Sequence, residues 1–202
     1  MLKIEHMGAI VFRDLIWHFP GKENELFLTF DDGPEPEITP WVLSELKKYN
    51  AKATFFCVGN KVEKNPSLYN QILAEGHSVG NHTYSHIKGW TTASENYVSD
   101  VDKAKEFIQS KLFRPPYGRI RPHQLKILKK DFKIVMWDVL SKDYDPKTTN
   151  EQCFNNVTDY AESGSIIVFH DNIKSQNNLF YALPKVLEYY SDQGFVFNSI
   201  SF

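Results

Sequence analysis

The chain has 202 residues, 42% of them hydrophobic and 24% charged, which fits one globular domain and excludes a disordered chain. Its 23 basic and 25 acidic residues leave a formal charge of −2 with no basic block, so a nucleic-acid partner is not expected. No apolar run approaches the roughly 18 residues of a membrane span, and Cys57 and Cys153 are too few for a disulfide framework.

The N-terminal stretch is interrupted by Lys3, Glu5, Arg13 and Asp14 and lacks an unbroken signal core. Cytoplasm is therefore the default location, with the cell envelope also compatible. Residues 1–22, including the apolar patch Ala9–Phe19, are expected to pack on a single domain spanning 23–202.

From there, short apolar runs alternate with helical segments. Leu26–Phe30 reads as a buried strand, and Thr39 with Pro40 signals an N-cap and first turn for a helix to about Tyr49. Ala53–Val58 is the next strand; Asn65 and Pro66 open a helix that Gly76 closes. A strand at Ser78–Gly80 precedes a helix in Ala93–Ser110. Leu112–Arg114 is a strand and His123–Lys130 a helix. Strands at Ile134–Trp137, Ser165–Phe169 and Val196–Asn198 alternate with helices at Glu151–Tyr160 and Phe180–Gln193.

These seven strands are apolar throughout, the mark of parallel strands covered by helices. An open sheet and a barrel both satisfy that pattern. Chemistry-bearing residues follow several strand ends: Asp31 and Asp32, His82 and His86, Arg114, Asp138 and Asp143, His170 and Asp171. A barrel brings those ends to one face, so the fold expected is a distorted (β/α)7 barrel, TIM-barrel-like, in one domain.

Within Phe30-Asp31-Asp32-Gly33-Pro34, two adjacent carboxylates at a sharp turn point in different directions, so one can hold a metal and the other a proton. Such a sequence alone is usually a solvated turn. In Asn81-His82-Thr83-Tyr84-Ser85-His86, histidines four apart are expected on one face of a helical turn, within reach of one ion. Such a pair is weak until a carboxylate from another strand end joins it. Arg114-Pro115-Pro116-Tyr117-Gly118 is a stiffened loop whose arginine can orient a carboxylate. His170 ends the apolar run Ser165–Phe169, a suitable place for a proton donor. His6, His18, His77 and His123 lack a comparable setting and read as structural or surface residues.

The ordered motifs FDDGP, HTYSH and RPPYG, the Trp-Asp region and the terminal x-His segment resemble the polysaccharide deacetylases of carbohydrate esterase family four, over approximately Glu23–Phe202. The resemblance implies a barrel of about seven parallel strands and one divalent ion on Asp32, His82 and His86. Zinc is the first choice, with cobalt, nickel or iron also accepted by such ligands. It implies Asp31 as base, Arg114 as its anchor, the Tyr117 N–H as oxyanion donor and His170 as acid. Asp143 is the expected partner of His170, with Asp138 as the alternative. The implied partner is an acetylated glycan containing N-acetylglucosamine, with the chain acting as a monomer.

Two positions depart from the family pattern: Tyr144 stands where tryptophan is common and Val168 where leucine is usual. Both bear on substrate choice. Three rival readings are O-deacetylation of acetylated xylan, an iron oxygenase built on the same two histidines and carboxylate, and an inactive glycan-binding module.

Overall fold

A computed structural model describes residues 15–202. The expectations for segment 1–22 and for Ala9–Phe19 lie outside the described residues as far as residue 14. The strands are β1 (Leu15–Ile16), β2 (Glu25–Asp31), β3 (Thr54–Cys57), β4 (Ser78–Asn81), β5 (Leu112–Phe113), β6 (Lys133–Val135), β7 (Val139–Leu140), β8 (Ile166–His170) and β9 (Val196–Phe197). The helices are α1 (Thr39–Lys48), α2 (Gly59–Lys64), α3 (Pro66–Ala74), α4 (Ser94–Lys105), α5 (Pro122–Leu128), α6 (Asn150–Thr158) and α7 (Gln176–Asp192).

The sheet runs β1-β6-β5-β4-β3-β2-β8-β7, with β9 paired to β2, and every ladder between named strands is parallel. This curled, helix-covered parallel sheet is the barrel-like α/β domain expected. The described residues hold nine strands rather than seven. The two additional ones, β1 and β7, are two residues each.

Strand alternation places the site. In β2, Leu26, Leu28 and Phe30 face the main core under the helices, whereas Phe27 joins a second cluster with Phe56, Val135 and Ile166 inside the barrel. The period of two therefore puts Thr29 and Asp31 on the interior face with Phe27. In β8, Ile167 and Phe169 join the helix-side core, leaving Val168 and His170 on the same interior side as Ile166. Phe30 is fully buried, a contribution of about 2–3 kcal/mol that fixes the register of β2.

The edges of the sheet meet at a seam. His18 bridges Ser165, and the Phe19 N–H donates to the Gly164 carbonyl at 2.9 Å. Asp138 ties the seam: its carboxylate accepts from the Ser165 hydroxyl at 2.9 Å and the Ile166 N–H at 2.7 Å, and lies 2.8 Å from His18 Nδ1. These contacts lie at the opposite end of β8 from His170. Asp138 is therefore a closure residue, which corrects its placement among the site carboxylates.

The Thr39 cap signal also resolves differently. Ile38 occupies the N-cap of α1 without a side-chain bond, and the Thr39 hydroxyl donates instead to Asp171 at 2.5 Å.

Candidate active site

Asp31 ends β2 as the register partner of His170 in β8 and of Phe56 in β3. Its Oδ1 accepts from Arg114 Nη1 at 2.7 Å. Arg114 leaves the end of β5 and crosses the barrel interior, fully buried. Its guanidinium also donates to Thr29 Oγ1 at 2.7 Å, the Met136 carbonyl at 2.8 Å and the Val135 carbonyl at 3.2 Å. It lies 4.1 Å above the Phe56 ring. Burial lowers the guanidinium pKa, and the charge of Asp31 works against that shift. One carboxylate and three neutral acceptors thus satisfy a charge that burial alone would forbid.

The chain turns at Asp32, whose φ is 80°, and the carboxylate leaves Asp31 behind. Asp32 Oδ1 lies 2.9 Å from His86 Nε2 and 3.6 Å from His82 Nε2, while Oδ2 accepts from Asn172 Nδ2 at 2.7 Å. Burial would raise the Asp32 carboxyl, but hydrogen bonds from both histidines outweigh it and hold the group below the usual carboxylate range.

The two histidines converge without a helix. Residues 82–88 are irregular, and Thr83 and His86 have φ of 66° and 55°. This corrects the helical-turn expectation: two left-handed residues fold the loop back, bringing the ring centroids to 5.2 Å. Asp32, His82 and His86 offer ligand atoms within 4.8 Å of one another. His82 Nδ1 lies 2.7 Å from the Arg114 carbonyl, which can only accept. Nδ1 therefore carries a proton, and Nε2 is the nitrogen turned toward Asp32 and His86, the orientation a metal-bound imidazole requires. This set fits a divalent cation, with room for water or substrate beside three protein ligands.

On the opposite side stands His170. Asp143, fully buried, is 2.8 Å from His170 Nδ1 through Oδ1, and its Oδ2 accepts the His170 N–H at 2.7 Å. Burial pulls the imidazole pKa down, but the charge and hydrogen bond of Asp143, aided by Asp32 and Asp31, raise it to about 9. The ring is cationic at neutral pH, with Nδ1 held and Nε2 left to act. Tyr144 packs edge-on against it at 4.9 Å between centroids.

Tyr117 sits in a 3₁₀ turn, Pro116–Gly118, with φ of 61° and its ring 4.8 Å from His86. An open groove of about 850 Å³ joins these groups, with Val58, Trp137, Leu140, Tyr144 and Val168 among its apolar walls. Asp31, Asp32, His82, Tyr117 and His170 all line it, whereas Arg114 and Asp143 support from behind. Among the histidines read as structural, His77 accepts from the Ala53 N–H at 3.2 Å, and burial first, then Lys52, lowers its pKa to about 4.

The sequence does not single out Asn172, and it marks Asp171 only as a polar residue at a strand end without a role. Asn172 holds Asp32, and Asp171 accepts from the Gly33 N–H at 3.0 Å.

A parallel barrel that gathers an Asp-His-His group able to hold a metal, with a carboxylate-paired histidine opposite, has the arrangement of a metal-assisted hydrolase. Residues 19–131 match the family described as polysaccharide deacetylase. The chain is 36% identical over 195 residues to a peptidoglycan-N-acetylglucosamine deacetylase of Bacillus cereus, covering 92% of this chain and 90% of that one. It is 32% identical over 157 residues to a chitooligosaccharide deacetylase of Azorhizobium caulinodans, 74% of each chain. It superposes with a TM-score of 0.89 and 33% identity on the crystal structure of a peptidoglycan N-acetylglucosamine deacetylase in complex with 4-naphthalen-1-yl-N-oxidanyl-benzamide, covering 96% and 94% of the two chains. The chain belongs to the polysaccharide deacetylase family. Members of that family depend on a metal, and among the described residues Asp32, His82 and His86 form a group that can hold one.

Proposed function

We propose that this chain removes acetyl groups from the nitrogen of N-acetylglucosamine units in a glycan, with Asp32, His82 and His86 as ligands of a divalent ion, zinc by first choice. One observation carries the reading: two proton-handling groups, each held by its own buried partner, flank the ligand set. Asp31 is held by Arg114 and His170 by Asp143, on adjacent parallel strands.

When bound, the ion supplies a Lewis acid that polarises the acetyl carbonyl and makes water a better nucleophile. Asp31 takes the proton as water attacks, and Arg114 keeps its carboxylate aimed. The Tyr117 N–H donates to the developing oxyanion. His170 gives a proton from Nε2 to the departing nitrogen, which an amide needs because the bare amide anion is a poor leaving group. Val168, Leu140 and Trp137 take the acetyl methyl against an apolar wall. Every group assigned a role stands on one chain, which supports a monomer as the working unit.

An iron oxygenase would have no task for the cationic His170 or for Asp31, and an inactive module would have no need of either. The test is acetate release from chitooligosaccharides, peptidoglycan fragments and acetylated xylan by chelated protein with zinc, cobalt, nickel or iron returned. Release of acetate and free amine from the N-acetylated sugars supports the reading. Release from xylan alone would replace it with an O-esterase.

A further inference from the structure

Asp32 turns its two oxygens to different neighbours. Oδ1 faces His86 Nε2 at 2.9 Å and His82 Nε2 at 3.6 Å, whereas Oδ2 accepts from Asn172 Nδ2 at 2.7 Å. A carboxylate can take a cation through one oxygen or through both, and a second oxygen fills a position that water or substrate would otherwise use. The amide of Asn172 stands where that choice is made.

The orientation of the amide is dictated from outside the ligand set. The Ser175 N–H donates to Asn172 Oδ1 at 3.0 Å, and of the two amide ends only the oxygen can receive it. The carbonyl end is thereby fixed on the 3₁₀ turn Ile173–Ser175, which leaves the NH2 end for Asp32. The reversed amide would satisfy neither contact. The turn is itself anchored. Ser175 is fully buried and leads directly into α7, whose Leu179, Ala182 and Leu183 are sealed in the main core. Asn178, in the first turn of α7, donates to the Asp143 carbonyl at 3.0 Å and the Thr148 carbonyl at 3.2 Å. On the other side, the Asp171 N–H donates to the Asp31 carbonyl at 3.1 Å. Asn172 is thus pinned before and after, so its NH2 group is a fixed point against which Asp32 is set.

We propose that Asn172 is a positioning residue for the cation: by holding Oδ2 it keeps Asp32 a one-oxygen ligand and aims Oδ1 toward the two imidazoles. The inference rests on the reading of Asp32, His82 and His86 as ligands. It deepens that reading by assigning the geometry of the set to a residue outside it. Serine at 172 separates the two jobs of the amide. Its hydroxyl is a good acceptor for the Ser175 N–H, but it stops one bond short of the nitrogen that reaches Asp32. Alanine loses both contacts.

The test is zinc affinity, measured by competition with a chromophoric chelator and with no glycan present, for the parent chain, Asn172→Ser, Asn172→Ala and Asn178→Ala. Both Asn172 variants should bind zinc about 10–100-fold more weakly, the usual cost of losing a group that orients a ligand. Asn178→Ala removes two hydrogen bonds from the same segment and none from Asp32, so its affinity should match that of the parent. Saturation with cobalt reads the geometry. Visible absorption is intense for a four-coordinate cobalt ion and weak for a higher-coordinate one, and it should fall in both Asn172 variants as Oδ2 becomes free to join. Parent-like affinity in Asn172→Ser, with the loss confined to Asn172→Ala, would reduce the amide to a turn cap and overturn the proposal. Equal weakening in Asn178→Ala would do the same. A parent chain that binds no divalent ion would remove the ligand set and the proposal with it. A parent that binds zinc but releases no acetate would overturn the deacetylase reading alone, and the affinities would still decide the role of Asn172.

Discussion

The carboxylate of Asp171 lies directly under Gly33: the Gly33 N–H donates to Oδ1 at 3.0 Å, and a β-carbon on residue 33 would stand 2.0 Å from Oδ2. The same carboxylate receives the Thr39 hydroxyl, whose oxygen accepts from the Glu35 N–H at 2.8 Å. The Asp171 N–H in turn donates to the Asp31 carbonyl at 3.1 Å. One buried acid thus clamps the turn that carries both aspartates. Gly33→Ala forces a carbon into that contact, and the carboxylate has no exposed space into which to retreat. The expected outcome is a loss of about 1–3 kcal/mol of stability together with weakened zinc binding. Denaturant melts and zinc titration of the same preparation check it, and a fully stable, zinc-binding alanine variant would contradict the clamp.

Asp171 also makes a pH prediction. Burial raises its carboxyl to about 7, with the Thr39 hydrogen bond opposing. A raised carboxyl favours the fold in its protonated form. That contribution is complete below the unfolded value near 4 and is lost as pH rises through about 7. Asp171→Asn is neutral throughout, so its Tm relative to the parent should climb between pH 4 and pH 8 in chelated protein. A flat difference would mean that the carboxyl ionises as an exposed one does.

The two neighbouring aspartates should separate cleanly. Asp32→Ala leaves two imidazoles, an incomplete set, and should lose both metal and turnover. Asp31→Asn keeps the shape beside Arg114 and should retain one metal per chain while turnover falls about 10²–10⁴-fold. Elemental analysis and acetate release on shared samples read both outcomes. Loss of metal from the Asp31 variant, with retention in the Asp32 variant, would reverse the assignment.

How much of this was legible beforehand depends on what kind of information each feature needs. β2, β3 and β8 announce themselves as apolar runs, and the site residues follow their ends, so the barrel and its functional face could be read from pattern. The convergence of His82 and His86 could be expected but not its cause, because left-handed backbone at Thr83 and His86 is imposed by tertiary packing on residues that do not demand it. The family pattern favours Asp143 over Asp138 as the partner of His170 but leaves both open. The closure of the barrel, which brings Asp138 to His18 and Ser165 and leaves Asp143 on His170, separates them. Thr39-Pro40 carries a good capping signal that a buried carboxylate 132 residues away overrides.

His170 and Asp143 can be tested as a pair. The raised value near 9 keeps His170 protonated through neutral pH, and the proton is lost as pH rises through it. The alkaline limb of kcat/KM should therefore reflect this group. A divalent ion near Asp32 pulls the limb lower, but Asp143 acts from the far side of the ring and its contribution persists. Asp143→Asn should move the alkaline limb down in pH, whereas His170→Ala should remove it. The alanine variant should also lose about 10²–10⁴-fold on the amide and much less on an activated ester, whose leaving group needs no proton. Equal losses on amide and ester would remove His170 from the acid role.

Arg114 separates folding from catalysis. Its four acceptors all lie within the barrel interior, so removing the guanidinium strands the buried Asp31 carboxylate and leaves Thr29 and two carbonyls short of a donor. Arg114→Met should cost about 3–5 kcal/mol, the scale of a broken buried ion pair. Arg114→Lys restores a charge but not the planar fork, and a single ammonium cannot reach Asp31, Met136 and Val135 at once. The lysine variant should fold better than the methionine variant yet remain catalytically impaired, with zinc still bound because Asp32, His82 and His86 are untouched. Combining Arg114→Met with Asp31→Asn should recover part of the lost stability, since no unpaired charge is then buried. Denaturant unfolding of the four chains gives the coupling energy of the pair. A double variant no more stable than Arg114→Met alone would show that the cavity left by the arginine, rather than the stranded carboxylate, sets the loss.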